Sequence, residues 1–310
     1  MFFVSAVLLV NSAACVEYPH DAAVHPADGD KTLPPFEDTV APAVPVSRSV
    51  VEREDGFRVE AVRFDSLSVR VWHPDGPGPH PAILMLPAIW GDRYLESFAE
   101  TLVRKGFVCL QFPSRRYLER IRRISPMNLE SLADLLKRQV EEANRLYDWL
   151  SAEPDVDPGR TGILGMSMGA ILASLLTESN PRVHAAAYVL GGGNLPDIMS
   201  SPRGYVKRRV RERIMSENGM SAEDFRRSSE KLLKTVDPLT YAGRLDARRI
   251  FMVNGRFDSV IPYQDAEALW TALGKPDWLV IPSGHYSASM FLGYIRKRVT
   301  EHFLEQLHPG

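Results

Sequence analysis

Six short runs that are apolar at almost every position constrain this chain more than anything else in it. They are "PAILMLPA" (81–88), "FVCLQFP" (107–113), "TGILGM" (161–166), "VHAAAYVLGGG" (183–193), "RRIFMVNG" (248–255) and "DWLVIPSG" (277–284). A strand with one wet face alternates apolar and polar residues. A strand that is apolar throughout must be covered on both faces, the habit of parallel sheets. Helical periodicity fills the gaps between the runs. From Tyr94 to Lys105, residues Leu95, Phe98, Ala99, Leu102 and Val103 share one side, and Gly106 stops the helix. Leu132, Leu135, Leu136, Gln139, Ala143, Leu146, Tyr147 and Leu150 trace a longer amphipathic helix. Further helices are predicted over Met168–Ser179, Pro262–Leu273 and Tyr286–Leu307. The alternation predicts an α/β fold with a mostly parallel sheet and helices on both faces. Ahead of it, the short alternating segments "FRVEAVRF" and "LSVRVWHP" predict an antiparallel N-terminal hairpin. Residues 195–246 interrupt the alternation with charged helical sequence, expected to form a helical cap insertion. The folded domain is expected to span residues 48–310.

The start of the chain reads differently. "MFFVSAVLLVNSAAC" has a short apolar core and then small residues up to Cys15. That core is too short to span a bilayer but suits the central region of an export signal. The small residues before Cys15 resemble the signal of bacterial lipoproteins, in which such a cysteine is acylated. Residues 1–15 are therefore expected to be a signal peptide or lipoprotein signal. The protein is expected to be exported, as a periplasmic or cell-envelope lipoprotein tethered to the membrane through Cys15, or otherwise secreted. Residues 16–47, rich in proline, alanine and acidic residues, read as a disordered linker. His20 and His25 fall within it and are expected to be exposed. The other cysteine, Cys109, lies in an apolar run and reads as a small buried hydrophobe.

Charge narrows the partners. With 37 Lys and Arg against 39 Asp and Glu, the chain lacks the basic excess of a nucleic-acid binder. Two local basic clusters, "SRRYLERIRR" and "RGYVKRRVRER", read best as solvated helix faces, the second with Val206, Val210 and Ile214 as its narrow apolar side. "GGGN" at 191–194 lacks both a following P-loop lysine and dinucleotide-binding spacing. No cysteine–histidine array suggests zinc, so neither metal nor cofactor is expected.

The chemistry concentrates in "GILGMSMGA" (162–170). Ser167 has glycines two positions away on each side, a predicted strand before it and a predicted helix after it. This is the pattern of a nucleophile elbow, where a serine sits on a strained strand-to-helix turn and bulky flanking residues would strike neighbouring backbone. The helix N-terminus that follows favours developing negative charge. The stretch "DVDPGRTGILGMSMGA" resembles the nucleophile region of the α/β-hydrolase family. "VDPLTYAGRLDARRIFMVNGRFDSVIP" is similar to the acid-bearing segment of its dienelactone-hydrolase-like and acetyl-xylan-esterase-like branch. The resemblance implies the chain order nucleophile, acid, histidine. Asp258, in the turn after "IFMVNG", and His285, in the turn after "WLVIP", meet that order, each beyond the end of a predicted parallel strand. His302 and His308 belong to the last helix and its tail, and Asp265 to a helix interior, where it should face away.

The resemblance therefore implies a serine hydrolase acting on a small-molecule carboxylic ester, with Ser167 as nucleophile, His285 as base and Asp258 as its orienting acid. The backbone N–H of Met168 and one from the "AIWGD" loop, Ile89 or Trp90, are implied as oxyanion donors. Acyl transfer or peptide hydrolysis by the same triad, and a catalytically silent binding protein of this fold, remain as alternatives.

Overall fold

The structure, a computed structural model, describes residues 14–20, 36, 42–65, 67–89 and 92–308. The expected signal segment before Ala14, most of the 16–47 stretch and Trp90 lie outside the described residues. Ten strands are described: β1 (Val16–Tyr18), β2 (Ser47–Glu54), β3 (Phe57–Phe64), β4 (Leu67–Pro74), β5 (His80–Leu86), β6 (Val108–Gln111), β7 (Val156–Met166), β8 (Ala185–Val189), β9 (Ile250–Gly255) and β10 (Asp277–Ile281). They form a single sheet in the order β1-β10-β9-β8-β7-β5-β6-β4-β3-β2. The run from β6 to β10 is parallel, as the doubly buried apolar runs require. β2, β3 and β4 attach to it as an antiparallel meander. The predicted hairpin is thus present with one strand more, since "SRSVVERE" is exposed throughout and carries no apolar signal.

Ten α-helices are described: α1 (Asp92–Val103), α2 (Arg115–Arg123), α3 (Leu129–Ser151), α4 (Met168–Ser179), α5 (Leu195–Ser200), α6 (Tyr205–Glu217), α7 (Ala222–Leu232), α8 (Pro238–Tyr241), α9 (Tyr263–Ala272) and α10 (Leu292–Leu307). The central strands show why both faces must be covered. On β5, Ala82, Leu84 and Leu86 join the core under α3 and α4, while Ile83 and Met85 join the core under α1 and α10. Full burial of a side chain such as Ile83 or Leu84 contributes roughly 1.5–3 kcal/mol. α3 starts where its sequence says it should, with Asn128 accepting from Ser131 N and Ser131 Oγ accepting from Asn128 N. α5 to α8 all lie between β8 and β9. No described helix is long and apolar enough to cross a membrane.

The first described residues depart from the linker expectation. Val16–Tyr18 form an edge strand antiparallel to β10, with Tyr18 against Trp270 and Trp278 and Glu17 accepting from Tyr294 and Arg298. His20 is docked as well: its backbone N–H donates to Asp277 and its ring meets the Lys275 carbonyl oxygen. Phe36, too, is buried in the core. A three-residue strand is too short for periodicity to reveal, and its pairing depends on a partner some 260 residues away.

Candidate active site

Ser167 stands between β7 and α4 with φ 54° and ψ −116°, a left-handed conformation rare for a residue with a side chain. Its neighbours make that turn possible. A Cβ on Gly165 would strike the Gly169 carbonyl oxygen and Ala170 Cα, and one on Gly169 would strike the carbonyl oxygens of Leu86 and Pro87. The glycine spacing is thus a packing requirement of helix α4 crossing close over β5 and β7. The Ser167 N–H donates to Val189 O at 2.8 Å, pinning the turn to β8.

Parallel strands deliver their carboxyl ends to one rim, and the other candidates emerge there. Asp258 follows β9 and His285 follows β10. Ser167 Oγ lies 2.9 Å from His285 Nε2, and His285 Nδ1 lies 2.7 Å from Asp258 Oδ2. The structure therefore brings all three residues together. Asp258 is nearly fully buried, and its Oδ1 accepts from the N–H groups of Val260 and Ile261 at 2.8 and 3.0 Å. With one oxygen held by backbone, the other faces the imidazole. An Nδ1–H donated to Asp258 leaves Nε2 free to accept the Ser167 proton.

Met168 opens α4, so its N–H belongs to the first turn, which has no acceptor within the helix. Met168 and Ile89 both line the cavity onto which Ser167 and His285 open. His302 and His308 stand apart from this cluster, His302 being buried and stacked on Phe251. Asp265 lies in α9 and takes no part in the Ser167–His285–Asp258 contacts. It is 1% exposed, turned inward to accept from Asn194 Nδ2 at 3.0 Å, and burial together with nearby Asp197 raises its pKa to about 7. Cys109 is buried and free, and burial pushes its thiol up. No group of three metal-ligating side chains occurs among the described residues.

Lys207 departs from the solvated face that periodicity predicts for "RGYVKRRVRER". It lines the cavity and donates to Ile198 O at 2.7 Å and Val260 O at 2.6 Å. Burial lowers its pKa to about 8. Val210 and Ile214 are buried as expected, but Arg211 and Arg213 are part-buried too, donating to the carbonyl oxygens of Ser201 and Ile124.

A strained serine at a strand-to-helix turn, at the carboxyl rim of a parallel sheet, defines an α/β-hydrolase fold. Residues 67–209 match the dienelactone hydrolase family, and the match supports a hydrolase. An uncharacterized protein of Mycobacterium tuberculosis (strain H37Rv) is 26% identical over 267 residues, 85% of this chain and 81% of that one. Acetyl xylan esterase 1 from Thermoanaerobacterium sp. JW/SL YS485 has the same fold, with a TM-score of 0.64 at 16% identity, over 88% of this chain and 96% of that one. The acetyl xylan esterase from Paenibacillus sp. R4 also scores 0.64, at 17% identity, over 84% and 89%.

Proposed function

We propose that the chain hydrolyses carboxylic esters through an acyl-enzyme intermediate on Ser167. The observation that carries this reading is the relay Ser167–His285–Asp258, anchored on three separate strand ends and opening onto a cavity. In this reading His285 Nε2 takes the Ser167 proton as Oγ bonds to the ester carbonyl carbon. The carbonyl oxygen becomes an oxyanion, which the N–H group of Met168 and that of Ile89 or Trp90 stabilise. One such donor contributes about 2.7–4 kcal/mol of transition-state stabilisation. His285 then protonates the departing alkoxide, and the alcohol leaves. Water, deprotonated by the same imidazole, attacks the acyl-Ser167 carbonyl. The carboxylic acid departs and Ser167 recovers its proton. Asp258 holds the imidazole tautomer and stabilises its cationic form without itself taking a proton. No step calls on a metal or an organic cofactor.

A fluorophosphonate probe should label the wild-type protein and not Ser167→Ala. The same substitution should lower kcat on p-nitrophenyl butyrate by at least ~10⁴-fold. Labelling that survives Ser167→Ala, or a wild type that neither reacts with the probe nor cleaves esters, would overturn the reading. We further propose that the protein is exported and tethered through an acylated Cys15, supported by the apolar run and small residues that precede it.

A further inference from the structure

The cavity beside Ser167 measures about 360 Å³. At the ~30 Å³ share of one water molecule, it holds about a dozen water-sized groups. An acetyl group would occupy little of that. The walls are apolar: Leu132 and Leu136 from α3, Ile171 from α4, Ile198 from α5, Val206 from α6 and Leu233 all face it. The polar groups on the wall are few and mostly committed. Lys207 gives its ammonium to the carbonyl oxygens of Ile198 and Val260, and Ser289 Oγ donates to Tyr286 O. The lining tyrosines Tyr94, Tyr205 and Tyr286 are 41%, 59% and 64% exposed, so their hydroxyls belong to the wet mouth rather than the depth. Among the described residues, no carboxylate or amide side chain lines the cavity. A sugar bound in its depth would leave hydroxyls unpaired, at a cost that apolar walls cannot offset.

Resting on the esterase reading above, we infer that the substrates are esters of an apolar acyl chain several methylenes long, accommodated in this cap-walled cavity. The acyl part, rather than the alcohol, is assigned to the cavity because it stays bonded to Ser167 through both half-reactions, whereas the alcohol must escape to solvent in between. Each methylene moved from water onto these walls is worth ~0.8 kcal/mol, about three- to fourfold in kcat/KM.

The test uses the purified full-length chain and p-nitrophenyl esters from acetate to dodecanoate, with active sites counted by fluorophosphonate titration. kcat/KM should rise about three- to fourfold per methylene, reaching on the order of a thousandfold over the six methylenes from acetate to octanoate, and then level off as the cavity fills. Val206→Trp should lower the octanoate-to-acetate ratio at least tenfold. A ratio does not depend on the fraction of molecules that fold, so poor folding of the variant leaves the test intact. A chain that is labelled at Ser167 but prefers acetate, or shows no dependence on acyl length, overturns the inference and leaves the esterase reading standing. An unchanged ratio in Val206→Trp also overturns it. A chain that is not labelled and cleaves no ester removes the esterase reading and this inference with it.

Discussion

At the scale of single residues, the site depends on groups placed where their ordinary preferences are overruled. Ser167 holds a left-handed backbone because two glycines let α4 and β5 close around it, and Asp258 is buried as an acceptor of three hydrogen bonds. His302 shows the same tension away from the site. It is 5% exposed, stacked on Phe251, and burial lowers its pKa to about 4. As pH falls, the unfolded chain, with an ordinary histidine pKa near 6.5, takes up this proton first. Proton uptake therefore favours unfolding across pH 6.5 to 4, and stability should decline over that window by up to about 3 kcal/mol. Urea unfolding at pH 7, 5 and 4 should show this decline in the wild type and a shallower one in His302→Gln. Identical pH slopes in the two proteins would exclude His302 as its source.

At the scale of elements, the cap is fastened from within. Lys207 on α6 donates to a carbonyl oxygen of α5 and to one in the loop after Asp258, while Arg211 donates to the carbonyl oxygens of Ser200 and Ser201. Lys207→Met keeps the apolar stem but leaves two carbonyl groups without their donor, at about 1–3 kcal/mol. Amide hydrogen exchange should accelerate roughly tenfold across residues 195–217 while β7 to β9 keep their protection. Unchanged protection of α5 and α6 would show that the fastening contributes nothing. This inward lysine was illegible in "RGYVKRRVRER", because periodicity places side chains on a face without saying what that face meets. The central strands and α4 were legible, since doubly buried strands leave unbroken apolar runs and the elbow leaves its glycines. The exposed β2 and the three-residue β1 left no such trace.

At the scale of the whole molecule, the N-terminal segment is stitched onto the sheet immediately after Cys15. β1 pairs with β10, and Glu17 meets Arg298 and Tyr294 on α10. Cys15 stands half-buried at the head of this strand, where burial, and then Glu17, raise its pKa. If Cys15 carries the proposed lipid, Cys15→Ser should move the protein from the membrane fraction to the soluble fraction of an expressing cell. Unchanged fractionation would end that proposal. Because β1 is held by β10 and α10, a tether at Cys15 would fix the sheet edge beside the membrane with little slack.

The alternation of apolar runs and helices determined the layered fold, and the residues around Ser167 determined where a nucleophile would stand. Both signals are local, written in neighbours whose burial and turn geometry leave a mark on composition. Which imidazole and carboxylate meet that hydroxyl was readable only as chain order. Their separations of 2.9 and 2.7 Å exist because parallel pairing aligns the ends of β7, β9 and β10 at one rim. The cavity that would choose the substrate was decided by tertiary structure alone, because its walls come from segments that touch only after the cap has folded over the sheet.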